Sequence, residues 1–547
     1  MTSFMRRSIP WAALVLFPLG FAVLAGCSHR GGIAVTTYHY NNLRTGWNNH
    51  EDELTPDRVA SSHFGVLYAP TTLDDQVDAQ PLVVPDERIH RNGRHRRYEV
   101  VYVATESNTV YAIDARSGQV LLIRKLGPAV PLNTASPPSP KPPAYGCGNN
   151  GPFVGINGTP VIDRAANRMY VIAYTMEYGA PVYRLHALDL SDLTDMVPPV
   201  KVAGSRALKN NAIFHFDPGW QRQRPGLVLS RGKLYAAFGS FCDWGGGQSR
   251  GWVLGWKVPS LAPLAANQLN NRLVTAPAGM FLSSVWMSGY GVAADDSGSL
   301  YFVTGNSDPS GTTYDGTDNI QESVVKMSSS LTTMQSIFTP SDQNVLDIWD
   351  TDFGSGGVML LPRQAGPVPF LAAAAGKEGN LFLMNRASLG GYNTATNNVL
   401  ATVAVGGCWC GPSYFNSHGA YIVSSGGANV KVWQLKTSPS PSLTLVGSSP
   451  LIAGYGGGGD DAGLFTSISS RGSQHTIIWA VSRPDAPGYI WLYAFKALPS
   501  GGSSTLTQLF AQPVGTWAGG NSNVVPVVAN GRVFVATDRK LTIFGLK

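Results

Sequence analysis

Val525-Pro526-Val527-Val528-Ala529-Asn530-Gly531-Arg532-Val533-Phe534-Val535-Ala536-Thr537 decides the fold. Two runs of β-branched and aromatic residues flank Asn530-Gly531, a dipeptide suited to the positive φ of a tight hairpin. The second run ends in small residues, and Leu541-Thr542-Ile543-Phe544 follows as another strand. The predicted unit is an antiparallel meander with short turns.

That unit recurs. Its central run is found as Val101-Tyr102-Val103-Ala104-Thr105, Met169-Tyr170-Val171-Ile172-Ala173, Leu234-Tyr235-Ala236-Ala237 and Leu300-Tyr301-Phe302-Val303-Thr304. It returns as Phe370-Leu371-Ala372-Ala373, Ala420-Tyr421-Ile422-Val423-Ser424, Ile477-Ile478-Trp479-Ala480 and finally around Phe534. From Tyr102 to Phe534 these eight runs lie about 62 residues apart, a propeller period enlarged by loops. A further apolar strand follows each, as in Val110-Tyr111-Ala112-Ile113-Asp114 and Ile490-Trp491-Leu492-Tyr493, and another usually precedes it, as in Thr159-Pro160-Val161-Ile162-Asp163. The expectation is an all-β chain, a single eight-bladed β-propeller of four-stranded antiparallel blades. The chain ends at Lys547 on a third strand. Phe64-Gly65-Val66-Leu67-Tyr68 is available to supply the missing fourth and remove the open sheet edge. The propeller is therefore expected over 63–547, with 27–62 as an N-terminal tether.

Composition agrees. With 62 Gly and 37 Pro in 547 residues, long helical bundles, coiled coils and collagen are excluded. Aromatic residues at 10% and charged residues at 14% exclude disorder. Net charge is +6, with no long Lys/Arg run outside 88–97, so nucleic acid is not the expected partner.

The N-terminus carries Arg6-Arg7, an apolar run over 11–25, then Leu24-Ala25-Gly26-Cys27. Residues 1–26 read as a secretory signal. Leu24-Ala25-Gly26-Cys27 resembles a bacterial lipobox, which implies acylation of Cys27. Ser28 after it implies the outer membrane, with the protein facing the periplasm. In that oxidising compartment the cysteines left are Cys147, Cys242, Cys408 and Cys410, which allow three pairings. Cys147–Cys242 is the preferred bridge; a Cys408–Cys410 bond would be strained. No CxxCH motif is present, which excludes covalent c-type haem.

Ala112-Ile113-Asp114-Ala115-Arg116-Ser117-Gly118 and the 527–537 stretch resemble the repeats of quinoprotein-like propellers. That superfamily includes dehydrogenases using pyrroloquinoline quinone (PQQ) and a non-enzymatic lipoprotein of outer-membrane assembly. Thr37-Tyr38-His39-Tyr40-Asn41-Asn42 is similar to an opening found in secreted propellers of this class.

Connectivity restricts the site. Loops between second and third strands share one face with loops between fourth and first strands. Asp243, Asn306 and Lys377 follow second strands; Trp286, Asp350, Asp352, Cys408, Trp409 and Cys410 precede first strands. All are expected around the channel on that face. Gly239-Ser240-Phe241-Cys242-Asp243 is similar to the dehydrogenase segment with the metal-binding glutamate, Asp243 replacing it. Thr304-Gly305-Asn306 is similar to the segment with the metal-binding asparagine, and Trp349-Asp350-Thr351-Asp352 to that with the catalytic aspartate. In lanthanide-using relatives a second aspartate stands where Asp352 does. Gly376-Lys377-Glu378-Gly379 is similar to the turn whose lysine pairs with that aspartate. Trp286 lies where the tryptophan beneath the cofactor ring is expected, and Trp409 belongs to the family's second Trp-containing segment.

The resemblance thus implies PQQ with Ca²⁺ or a lanthanide. Asp243, Asn306 and Asp352 would hold the ion. Asp350 would be the general base, with Lys377 beside it. The sequence also departs from the family: Cys147 stands single where a Cys-Cys pair is usual, the arginine after it is absent, and Cys408 replaces an asparagine. Two functions stay open. One is a lipid-anchored dehydrogenase oxidising a small-molecule alcohol, aldehyde or sugar. The other is a non-catalytic propeller scaffold with an envelope protein as partner. Asp74, Asp75 and Asp78, and Asp460-Asp461, read as a polar loop rim, and His418 and His475 as structural.

Overall fold

The computed structural model describes residues 1, 32–132, 151–241, 243, 248–274, 280–309, 313–407, 409–452, 463–485, 488–517 and 522–547. Eight antiparallel sheets follow one another in chain order. Blade one is Leu82–Arg91, Arg94–Ala104, Thr109–Asp114 and Val120–Lys125, paired in that order. Blade four is Ala293–Ala294, Leu300–Val303, Val324–Met327 and Met334–Thr339. Blade five is Val358–Leu360, Leu371–Ala375, Asn380–Asn385 and Ala401–Ala404. The central two strands of each blade are buried on both faces, which is why they read as unbroken apolar runs.

Blade eight closes as the sequence requires. Val527–Ala529 pairs with the start of Arg532–Leu546, which doubles back at Arg539, where φ is 55°. Its second half pairs with Phe64–Val66 and then with Thr71–Gln76. Phe64 seals this seam, with its ring 4.9 Å from Phe510 and 5.6 Å from Trp479.

One segment lies inside the ring of blades, and only its Trp47–Asn48 stretch joins a sheet, parallel to the first strand of blade seven. Residues 33–51 enter the central channel, run along it and leave again on the face of entry. Ile33 is bonded to Asn530, in the first turn of blade eight, and Glu51 donates to Ser470 in blade seven. In between, the segment bonds to the first strand, or its leading residue, in every blade. Val35 pairs with Val83, and Thr36 accepts from Ile162. Arg44 donates to Leu227, and Asn42, Leu43, Thr45 and Gly46 accept from Ala294, Leu360, Tyr414 and Ile468. Tyr40 Oη accepts from Val528. Arg44 has no exposed surface and spends its guanidinium on Thr37, Tyr38, Leu227 and Val292. The segment fills the channel beneath the loops described next.

Among the described residues no helix is long and apolar enough to cross a membrane. Cys27, Cys147, Cys242, Cys408 and the 460–461 loop lie outside the described residues. Cys410 is disulfide-bonded.

Candidate functional site

Three loops from blades four and five build the centre. The helix Gln343–Trp349 ends at Asp350, which adopts the left-handed conformation (φ 55°, ψ 33°) and donates its N–H to Leu346 O. Aspartate tolerates this conformation better than bulkier residues. The turn carries the Asp350 side chain outward, 62% exposed, and directs Asp352 inward, 2% exposed. Lys377 follows the strand Leu371–Ala375, and its N–H donates to Asp352 O at 3.0 Å. Its Nζ lies 2.8 Å from Asp352 Oδ2, 3.4 Å from Asp350 Oδ2 and 2.9 Å from Asp350 O. Asn306 follows Leu300–Val303. Its N–H donates to Asp352 Oδ1 at 2.9 Å, and its Nδ2 donates to Asp350 Oδ1 at 2.8 Å. One lysine and one asparagine therefore each engage both aspartates. Burial works against the Lys377 charge, but Asp352 and Asp350 outweigh it and hold the ammonium above its ordinary range.

Asp243 stands in the neighbouring loop, with φ 56°. Ser240 Oγ donates to Asp243 Oδ1 at 2.9 Å and accepts from the Asp243 N–H at 3.1 Å. Ser284 ties this loop to the Asn306 loop: its Oγ accepts from Ser240 N–H and its carbonyl from Gly305 N–H. Burial, then repulsion from Asp352 and Asp350, pushes the Asp243 carboxyl up to about 7.

Trp286 and Trp409 meet edge to face, with centroids 4.9 Å apart. Lys377 Nζ lies 5.8 Å and 5.3 Å from the two rings, within cation–π reach. All seven predicted side chains thus lie on the loop face. Asn306, Asp350, Asp352, Lys377, Trp286 and Trp409 form one contact network, and Asp243 joins through Ser284 and through charge. Asp352 is committed to Lys377 and to a backbone N–H. Among the described residues, no three or more of His, Cys, Asp and Glu stand together as a metal-ligand set.

Sequence reasoning missed three contributors. Arg483, after the second strand of blade seven, lies 5.3 Å over Trp409 and donates to Asn523. Glu322 and Asp347 form an acidic layer beneath Asp352. Glu322 is fully buried, accepts from Phe353 N–H at 2.7 Å through Oε2, and has no hydrogen-bond partner for Oε1 among the described residues. Burial, then Asp352 and Asp347, holds its carboxyl well above the usual range. Burial likewise pushes Asp347 up to about 8; it accepts from Ser307 N–H and from the amides of Gln321 and Gln343. The signal for Arg483 was only its position after a second strand.

No family model matches the chain, and no curated protein does. Solved structures do. A quinohemoprotein alcohol dehydrogenase from Comamonas testosteroni superposes with a TM-score of 0.60 at 14% identity, covering 94% of this chain and 80% of that one. One from Pseudomonas putida HK5 gives 0.57 at 13% identity, with the same coverage of 94% and 80%. A europium-containing methanol dehydrogenase gives 0.54 at 10% identity, covering 94% of this chain and 98% of that one. The likeness is one of architecture: this chain shares the eight-bladed propeller fold of these quinohemoprotein and methanol dehydrogenases.

Proposed function

We propose that this is an exported, envelope-bound oxidoreductase of the quinoprotein type, oxidising a small alcohol, aldehyde or sugar, with the mature chain anchored through Cys27. The observation that carries the reading is the joint hold of Lys377 and Asn306 on Asp350 and Asp352. The donor chemistry suits a hard cation: three carboxylates and one amide face a single ammonium, and burial, then repulsion from Asp352 and Asp350, pushes Asp243 up to about 7. The Trp286–Trp409 pair, flanked by Lys377 and Arg483, suits a flat anionic ring, and Trp409 Nε1 is buried without a partner among the described residues.

Asp243 and Asn306 would hold the cation, and Trp286, Trp409 and Arg483 the cofactor. When bound, a quinone supplies the acceptor for the electrons leaving the substrate carbon, polarised by the ion. The chain's residues do the rest. Asp350, the exposed carboxylate, takes the substrate hydroxyl proton. Lys377 sets a positive charge beside it, and Asn306 Nδ2 fixes the oxygen that does not accept. The channel segment at 33–51 closes the cup from below, so substrate enters from the loop face.

The test is reconstitution of the purified full chain with PQQ and Ca²⁺ or La³⁺. Quinone absorbance in the protein fraction and dye reduction with an alcohol, aldehyde or sugar are expected. Neither signal, with any substrate of these classes, would sink the reading and leave a propeller scaffold.

A further inference from the structure

The first strand of blade one, Leu82–Arg91, has ten residues against three in the first strands of blades two and eight, and Arg94–Ala104 pairs with it along its length. Their extra length forms a hairpin around Asn92-Gly93 that projects from the face opposite the candidate site. It carries Arg88, Arg91, Arg94, Arg96 and Arg97, all exposed. The register sets Arg88 opposite Arg97 and Arg91 opposite Arg94. Like charges directly opposed across a strand pair destabilise it, so this ribbon costs the fold something. Nearby acids relieve little of it. Asp86 pairs with Arg97 at 2.7 Å, while Glu87 is buried and taken by Arg164, outside the hairpin. A hollow on its flank is lined by Ile89, Arg91, Arg94, His95, Arg96 and Tyr98.

The chain enters the propeller beside this hairpin. Asn530 Nδ2 donates to Ile33 O at 3.1 Å and to Glu99 Oε1 at 2.8 Å, so Ile33 and Glu99 stand level at the hairpin base. From Glu99 to Asn92 the strand reaches about 20 Å. Ile33 is six positions after Cys27, a span of at most about 20 Å. An anchor at Cys27 would therefore lie no farther from the hairpin base than the arginine-rich tip does.

We infer that the 88–97 hairpin docks on the anionic phospholipid headgroups of the anchoring membrane, holding the propeller with its candidate site turned away from the bilayer. The inference rests on the N-terminal anchoring proposed above and not on the redox chemistry. Arginine forks bind phosphate oxygens in pairs, and several basic residues beside an anionic leaflet add their attraction. The phosphates also supply the charge that the opposed arginines lack.

The test places the purified full chain on vesicles of phosphatidylcholine alone or with 30% phosphatidylglycerol. Limited trypsin digestion compares cleavage after Arg91 and Arg94 with cleavage after Arg539, in the turn on the candidate-site face. On anionic vesicles hairpin cleavage should slow at least fivefold relative to Arg539, and 0.5 M NaCl should restore it. An equal ratio on both lipids overturns the inference, as does protection of Arg539 instead. A second arm measures transfer of the chain from detergent micelles to vesicles, and it decides alone if trypsin leaves the hairpin intact. The native chain should transfer about tenfold faster to anionic vesicles. The R91E/R94E/R96E variant should show no preference; a preference that survives overturns the inference. Failure of the anchor itself reads differently, as release of the chain from both lipids in high salt. Tighter protection of the hairpin by a 20-base-pair DNA duplex than by vesicles at equal phosphate would assign it to nucleic acid and likewise overturn the inference.

Discussion

Asp350 and Asp352, two residues apart, share Lys377, yet one side chain is 62% exposed and the other 2%. The same ammonium is thus a structural counter-ion on its buried side and an electrostatic support on its open side.

This division separates the two aspartates experimentally. Asp352→Asn leaves a buried ammonium without its principal partner and should cost about 3 kcal/mol in urea denaturation. Asp350→Asn keeps the left-handed turn and removes only an exposed charge, a change within about 1 kcal/mol. In the reconstituted enzyme Asp350→Asn should nevertheless lower kcat by 100-fold or more, since the proton acceptor is gone. Equal stability losses in the two variants would contradict the assignment.

A cation should stabilise the fold by binding the native state alone. Added Ca²⁺ or La³⁺ is expected to raise Tm, with about 2.7 kcal/mol gained at a hundred times Kd. Asp243→Ala and Asn306→Ala should each reduce the shift. Asp74→Ala, distant on the loop rim, should leave it intact.

His39 gives the channel segment a pH signature. Its ring stacks on Tyr38 at 4.5 Å and meets Tyr290 edge-on at 4.9 Å, and burial pulls its pKa down to about 3. The unfolded chain binds this proton near pH 6.5 and the folded chain does not. His39 therefore contributes stability that is present above 6.5 and lost as pH falls toward 3, at up to about 1.4 kcal/mol per pH unit. His39→Gln should be less stable at pH 7.5 and show a shallower loss on acidification. Parallel profiles from pH 7 to 4 would refute it.

Phe64 fastens the ring through Trp479, Phe510 and Phe544. Phe64→Ala should cost about 3–5 kcal/mol, seen as a lower midpoint in thermal or urea unfolding. A loss under 1 kcal/mol would mean that the N-terminal strand is dispensable for closure.

The blades were legible because their second and third strands are short, β-branched and buried on both faces, a pattern that survives any loop between them. Connectivity then put Asp243, Trp286, Asn306, Asp350, Lys377 and Trp409 on one face, and the structure agrees. What stayed hidden depends on contacts between loops. Nothing local marks Glu322; its partner, the N–H of Phe353, comes from a loop 31 residues further along the chain. Arg483 has only its position after a second strand to mark it. The channel segment was unreadable because its bonds go to strands spread over the whole chain, with no fixed spacing.

That segment also sets an order of events. Tyr40 and Val528 exchange a hydrogen bond across 488 positions, and the segment touches every blade in between. The first stretch to be made cannot take its place until the last has arrived. Nascent blades must wait, with their inner edges unpaired, for synthesis to finish. The ring locks in a single late step, and a chain truncated before blade eight would hold a seven-membered arc with nothing to draw it shut.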